Sequence, residues 1–237
     1  MATKKGLVKK THLSEFKNLR KNGLIAISLR EGDELLKVKV TRGDADIVIV
    51  SEHGNAIKFN EQDVRAMGRT AAGVKSMNLR DDDIAVCMDI AVDDEDLLVI
   101  SENGFGKRTP LVEYKRQNRG GVGLITYKIS EKTGKVVGAT VCKAEDELML
   151  INTSGVAIRI NVSDVSVTSR ATMGVRLMRT SDEERIAAKI SASEMQEKDQ
   201  QLSLTDNLEN EHLELNEDTS LDRLVEEAES QIESEED

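Results

Sequence analysis

The sequence predicts an all-β protein built as a radial array of similar four-stranded blades, propeller-like in plan, followed by an acidic segment of different character. Three observations carry this. A pattern recurs four times at a nearly fixed period, each copy contains several short apolar runs bounded by turn residues, and both features stop near residue 190. A period near fifty residues with about four strands per copy is the sequence form of a blade, which cannot bury both faces of its sheet until neighbours stack on it.

The period is set by turn glycines at Gly6, Gly54, Gly104 and Gly155, in steps of 48, 50 and 51 residues. Four residues after each comes a base (Lys10, Lys58, Arg108, Arg159), and nine after it an acid (Glu15, Asp63, Glu113, Asp164). In the last three copies an arginine follows at fifteen (Arg69, Arg119, Arg170) and a second glycine at nineteen (Gly73, Gly123, Gly174). The first copy is two residues shorter there and has Arg20, Lys21 and Gly23 in those places. The units are about 1–45, 46–95, 96–146 and 147–190, with an acidic, mostly disordered tail over 191–237.

Taken in order, the first unit offers only Met1 to Thr3 before its turn, where later units have a full strand; this suggests an array cut from something longer. Leu7 and Val8 lead into Lys9 and Lys10, then His12 to Phe16. Leu24 to Leu29 reads as a strand, and Leu35 to Val40 as another, with Lys37 and Lys39 on its wet face. The second unit repeats the plan with Ile47–Val50, Ala56–Phe59, Val74–Leu79 and Val86–Ala91. The third has Leu97–Ile100, Phe105–Arg108, Leu124–Ile129 and Val136–Val141. The fourth has Leu148–Ile151, Val156–Ile160, Val175–Arg179 and Ile186–Ile190. Gly, Asp and Asn turns separate them.

Composition limits the function. With two Tyr, three Phe and no Trp, the core is aliphatic. No apolar run is long enough to span a bilayer and the start lacks a secretory hydrophobic region, so cytoplasm is the expected location. Cys87 and Cys142 each sit in an apolar run and read as reduced, buried thiols. Residues 1–190 hold 31 Lys and Arg against 27 Asp and Glu, while 191–237 hold 2 against 17, so a mildly basic body carries a strongly acidic tail. Such asymmetry points to nucleic acid or its regulation. The tail cannot bury enough apolar area to order itself; after Ser220 its pattern allows a short helix over Leu221 to Ile232 when docked on something.

No catalytic constellation is present. There is no phosphate-binding loop, zinc-ligand spacing or nucleophile elbow, and Arg119 to Gly123 reads as a tight corner. The acids at 81–83 and 93–96 read as solvated turns in preference to a metal site, and His12 and His53 as surface residues without partners.

The recurring bases are the positive signal. A residue at the same place in each unit recurs on the same surface of a ring, so Lys10, Lys58, Arg108 and Arg159 form one circumferential series. Arg69, Arg119 and Arg170, with Arg20 or Lys21, form a second. Either band can neutralise phosphates without reading bases, and the lack of an aromatic platform favours duplex over single strand. The alternative for the first series is a salt bridge from each base to the acid five residues on, serving only the fold; the two readings weigh equally. The corner arginines and the extra bases Lys9, Lys21, Lys107, Lys115, Arg116, Arg176 and Arg179 lean towards DNA, having no regular acidic partner.

ENGFGKRTPLVEY followed by QNRGGVG, the echo GRTAAGVKSMNL, SRATMGVRLMR, and the opening KKGLVKKTHLSEFKNLRKNGLIAISLREGDEL closely resemble repeats of the C-terminal domain of the bacterial DNA gyrase A protein. The resemblance covers about residues 3–190. It implies a six-bladed β-pinwheel whose blades exchange strands and whose basic rim wraps duplex DNA, supporting ATP-driven negative supercoiling in the whole enzyme. It implies as partners duplex DNA, the rest of the gyrase A protein and the gyrase B protein, and a nucleoid-associated location. Four blades are counted here. The family's glutamine-arginine-glycine box would lie in an earlier blade; Gln117 to Gly123 resembles it but belongs to a later one, so the role is not transferred. The strand-breaking tyrosine domain is also absent, and Tyr114 and Tyr127 read as packing residues. The chain is therefore expected to have no topoisomerase activity and no cofactor of its own, ATP and magnesium being used by other parts of the enzyme. The rival readings are the equivalent C-terminal domain of topoisomerase IV and a protein-interaction propeller that does not bind DNA.

Overall fold

A computed structural model describes residues 1–17, 22–80, 82–181 and 184–191, with side chains through Ile186. Arg20, Lys21 and the acidic tail lie outside the described residues. The strands are β1 (Ala2–Thr3), β2 (Leu7–Val8), β3 (Leu35–Lys37), β4 (Asp46–Ser51), β5 (Asn55–Asn60), β6 (Val74–Lys75), β7 (Ala85–Ala91) and β8 (Asp96–Ser101). They continue with β9 (Phe105–Pro110), β10 (Leu124–Ile125), β11 (Val136–Cys142), β12 (Glu147–Asn152), β13 (Ala157–Asn161), β14 (Val175–Arg176) and β15 (Ile186–Ser191).

They form four antiparallel sheets in the orders β3-β1-β2-β6, β10-β5-β4-β7, β11-β8-β9-β14 and β13-β12-β15. Three strands of each sheet come from one unit, and in the first three sheets the fourth comes from the next unit. That strand is shorter than its apolar run, since Val74–Lys75, Leu124–Ile125 and Val175–Arg176 alone pair. A further difference is that Leu24 to Leu29 pairs with no strand among the described residues.

The near-continuous apolar runs are explained by burial on both faces of the sheets. In β4, Ile47 and Ile49 face a core shared with Ala2 and Val8, while Val48 and Val50 face a core shared with Leu97, Val99, Tyr114 and Tyr127. In β8 the alternate pair Leu98 and Ile100 packs with Leu148, Leu150 and Ile186. Period-two alternation thus joins each of the two middle sheets to both of its neighbours. Cys87 and Cys142 are buried and unbridged, and burial pushes the Cys142 thiol up to about 12. Tyr114 and Tyr127 are buried packing residues whose hydroxyls bond Thr126 at 2.5 Å and Ser101 at 3.1 Å. Each unit also has a 3-10 turn just after its second strand, at Leu13–Phe16, Glu61–Asp63, Leu111–Glu113 and Val162–Asp164.

Candidate nucleic-acid interface

The series four residues after each turn glycine is not an exposed band. Lys58 is 6% and Arg108 7% exposed. Each lies in the second half of its strand and ties to the 3-10 turn region of the following unit. Lys10 Nζ donates to the Glu61 carbonyl at 2.9 Å, Lys58 Nζ to the Leu111 carbonyl at 3.2 Å, and Arg108 Nε to the Val165 carbonyl at 2.9 Å. Carboxylates on other strands and turns balance the charge, with Asp93 2.7 Å from Lys58 and Asp96 2.9 Å from Arg108. Arg159, in the last unit, is exposed and pairs with Glu147.

The fold-serving reading of this series is therefore the one the geometry supports, but with other partners than the spacing implied. The acid nine residues after each glycine does not pair with its own unit's base; Glu113 accepts from the Arg170 backbone at 3.3 Å, and the Asp63 carbonyl accepts from Arg119 Nε at 2.9 Å.

Lys9 and Lys107 are a second correction. Lys107 is 0% exposed, and Nζ donates to the carbonyls of Ser169, at 2.6 Å, and Arg170. Lys9, also buried, donates likewise to Arg69 and to Ala26. They reach no surface. Instead each clamps a corner loop whose arginine lies further out. Burial lowers both ammonium groups from their ordinary value, Lys107 to about 8.

What stays at the surface is the tier made by the exchanged strands and corners. Arg119 is half-buried, and its Nη1 donates to the Lys75 carbonyl on β6 at 3.0 Å, so corner and exchanged strand of successive units are joined. Gly120 N on the Ser76 carbonyl and Asn78 N on the Gly121 carbonyl complete that junction. The next junction repeats the last of these bonds, with Lys128 N on the Thr172 carbonyl at 3.0 Å. Lys75, Lys128, Arg176 and Arg179 are exposed along this tier, Arg69 and Arg170 half-buried. Arg176 and Lys132 both lie over the Phe105 ring, at 5.0 and 5.3 Å, and Arg170 lies 6.0 Å over Tyr114. Here aromatic faces hold cations in place. Lys115 and Arg116 are exposed, Arg116 paired to Asp46 at 2.8 Å.

Lys75, Lys128 and Lys132 are surface bases that the motif reading missed. Lys75 stands two residues after its second glycine, as Arg176 does, and Lys128 five after, as Arg179 does; that spacing was the available signal. His53 does have a partner, Asp82 at 3.6 Å, and the Asp83 carboxylate accepts from the His53 backbone at 2.9 Å, so these acids brace a turn. Among the described residues no group of three or more His, Cys, Asp or Glu is placed to hold a metal ion, and no helix is long and apolar enough to cross a membrane.

The family described as "DNA gyrase C-terminal domain, beta-propeller" matches residues 1–42, 45–86, 95–143 and 146–190, one stretch per unit. The chain belongs to that family. Among curated relatives, the gyrase A protein of Clostridium acetobutylicum is 61% identical over 188 residues, covering 79% of this chain and 23% of the relative. That of Staphylococcus epidermidis is 43% identical over 183 residues, covering 76% and 20%. The chain thus spans about a quarter of the gyrase A proteins it matches. Among solved structures, a topoisomerase IV C-terminal domain superposes with a TM-score of 0.76 at 27% identity, covering 80% of this chain and 60% of that one. A DNA gyrase A C-terminal domain does so at 0.72 and 28%, covering 80% and 64%. The exchanged-strand sheets are accordingly the β-pinwheel of gyrase and topoisomerase IV C-terminal domains.

Proposed function

We propose that this chain binds and bends duplex DNA along the tier of exchanged strands and corners, as the DNA-wrapping part of a gyrase A protein. The observation that supports the reading is the junction repeated from unit to unit, which brings Lys75, Arg119, Lys128, Arg170 and Arg176 onto successive parts of one outer tier. Arginine and lysine so spaced neutralise phosphates along a curved path and carry no base readout. Arg119 spends N–H groups on two carbonyls, which fixes the guanidinium plane and leaves other donors for a phosphate oxygen. In a whole gyrase this wrap would present one DNA segment over another and so support ATP-dependent negative supercoiling, with chemistry, ATP and magnesium held by the rest of the gyrase A and gyrase B proteins. The setting is the cytoplasm, on the nucleoid.

The test is fluorescence anisotropy of a labelled duplex across a salt series. Phosphate neutralisation predicts a log-log slope of about −0.9 for each contact. Absence of duplex binding at low salt would refute the proposal and return a protein-interaction role.

A further inference from the structure

The residue three after the turn glycine differs between the three junctions inside the chain. It is Lys9 in the first, Ile57 in the second and Lys107 in the third. All three side chains are buried, and each meets the corner loop of the following unit. Lys9 donates to the Arg69 carbonyl, Lys107 donates to those of Ser169 and Arg170, and a Cβ added at Gly121 would lie 3.8 Å from Ile57 Cδ1.

Burying an ammonium is unfavourable where only carbonyl dipoles receive it. Neither Lys9 nor Lys107 pairs with a carboxylate among the described residues. Ile57 fills the equivalent place without that penalty, so closing the corner does not by itself call for a lysine.

What changes with the buried residue is the corner arginine. Above Ile57, Arg119 makes the tie to the unit before with its own side chain, Nε donating to the Asp63 carbonyl at 2.9 Å and Nη1 to the Lys75 carbonyl at 3.0 Å. Above the two lysines the main chain is held instead, and the guanidinium groups of Arg69 and Arg170 donate to no described residue. Arg170 is placed further by the Glu113 carboxylate, which accepts from its backbone N–H at 3.3 Å, and by the Tyr114 ring, 6.0 Å from the guanidinium. The buried ammonium and the guanidinium also repel one another, an effect that adds to burial in lowering both lysines. Like charge thus keeps Arg69 and Arg170 from folding back on the unit before, as Arg119 does.

We infer, resting on the reading of this tier as the path of duplex DNA, that Lys9 and Lys107 are positioning residues for DNA binding. They take over the tie between units, so that Arg69 and Arg170 present a whole guanidinium to phosphate while Arg119 offers only its remaining donors. The first and third corners then grip a phosphate with two parallel N–H bonds, and the second holds it less closely.

The test is a double-mutant cycle on the whole chain, read by anisotropy of a labelled duplex. Lys107→Ile copies the second junction. It should leave the urea midpoint close to that of the parent, yet weaken duplex binding about tenfold, the size of one charge-assisted contact. Arg170→Ala should weaken the parent by about the same factor and the Lys107→Ile variant by less than about twofold, whereas Arg119→Ala should act equally in both backgrounds. Lys9→Ile with Arg69→Ala should repeat the pattern at the first corner. Losses from Lys107→Ile and Arg170→Ala that simply multiply in the double variant would overturn the inference, because the lysine would then contribute charge alone. Unfolding of either lysine variant would overturn it too, since the corner would need its lysine for packing. A parent chain that does not bind duplex removes the underlying reading, and that failure is seen before any variant is compared.

Discussion

Replacing Gly174 by Ala should loosen the third junction, and its size follows from the contacts. The residue has φ +72°, where an L side chain costs roughly 1–2 kcal/mol. Its Cβ would meet the backbone of Gly106, oxygen at 2.2 Å and carbon at 2.6 Å, and neither atom is the end of a flexible side chain. β14 must then withdraw from β9. That strains the bonds from Leu177 N and Met178 N to the Gly104 carbonyl, at 2.8 and 3.1 Å, worth about 1 kcal/mol each. The total is a loss of about 3–4 kcal/mol. Gly23→Ala is the matched control. It makes the same chemical change at φ +74° with nothing within 4 Å among the described residues, so only the backbone cost of about 1–2 kcal/mol applies, and the effect on the unfolded chain cancels between the two. Urea titration at dilute protein with linear extrapolation reads both values. Equal losses would refute the reasoning, since they would mean that close approach of exchanged strand and acceptor contributes nothing.

Two other outcomes are expected. Lys107 has a folded-state value of about 8, below the ordinary 10.5, because burial disfavours its charge. The unfolded state therefore binds more protons between those values, so stability relative to a Lys107→Met variant should rise with pH across that window, by at most about 3 kcal/mol; a flat difference in urea midpoints from pH 8 to 10 would contradict it. Deleting residues 191–237 removes a strongly acidic segment from a mildly basic body, and should strengthen duplex binding and steepen its salt dependence if the tail competes with phosphate; unchanged affinity would exclude that role.

The array was legible because repetition leaves a mark in one dimension: glycines that need positive φ must recur wherever the same turn recurs, and β4 and β8 show as unbroken apolar runs because sheets stack on both their faces. Strand exchange is different. Val74, Leu124 and Val175 look like strands of their own unit; the resemblance implies that blades exchange strands, and the sheet order shows that these are the ones, each completing the sheet before it. The bases of the candidate interface were half legible. A lysine at a repeated position reads the same whether it faces water or the carbonyls of a loop some sixty residues on, as Lys107 does with Ser169. The spacing therefore located the +4 series correctly but could not show that Lys58 and Arg108 are staples between units. Lys75 and Lys128 were overlooked for a related reason, since they align with arginines by register after the second glycine and belong to no motif of their own.

The central claim separates two sets of cations, one bracing the fold and one meeting phosphate. Salt-dependent duplex binding of Arg119→Ala, Lys75→Ala and Arg176→Ala should be compared with Arg159→Ala, which removes the same charge from a side chain already paired with Glu147. Each of the first three should weaken binding and make the slope shallower by about 0.9, while Arg159→Ala leaves it near the parent value. Identical slopes in all four variants would mean that only net charge matters and that the outer tier is not the path of the DNA.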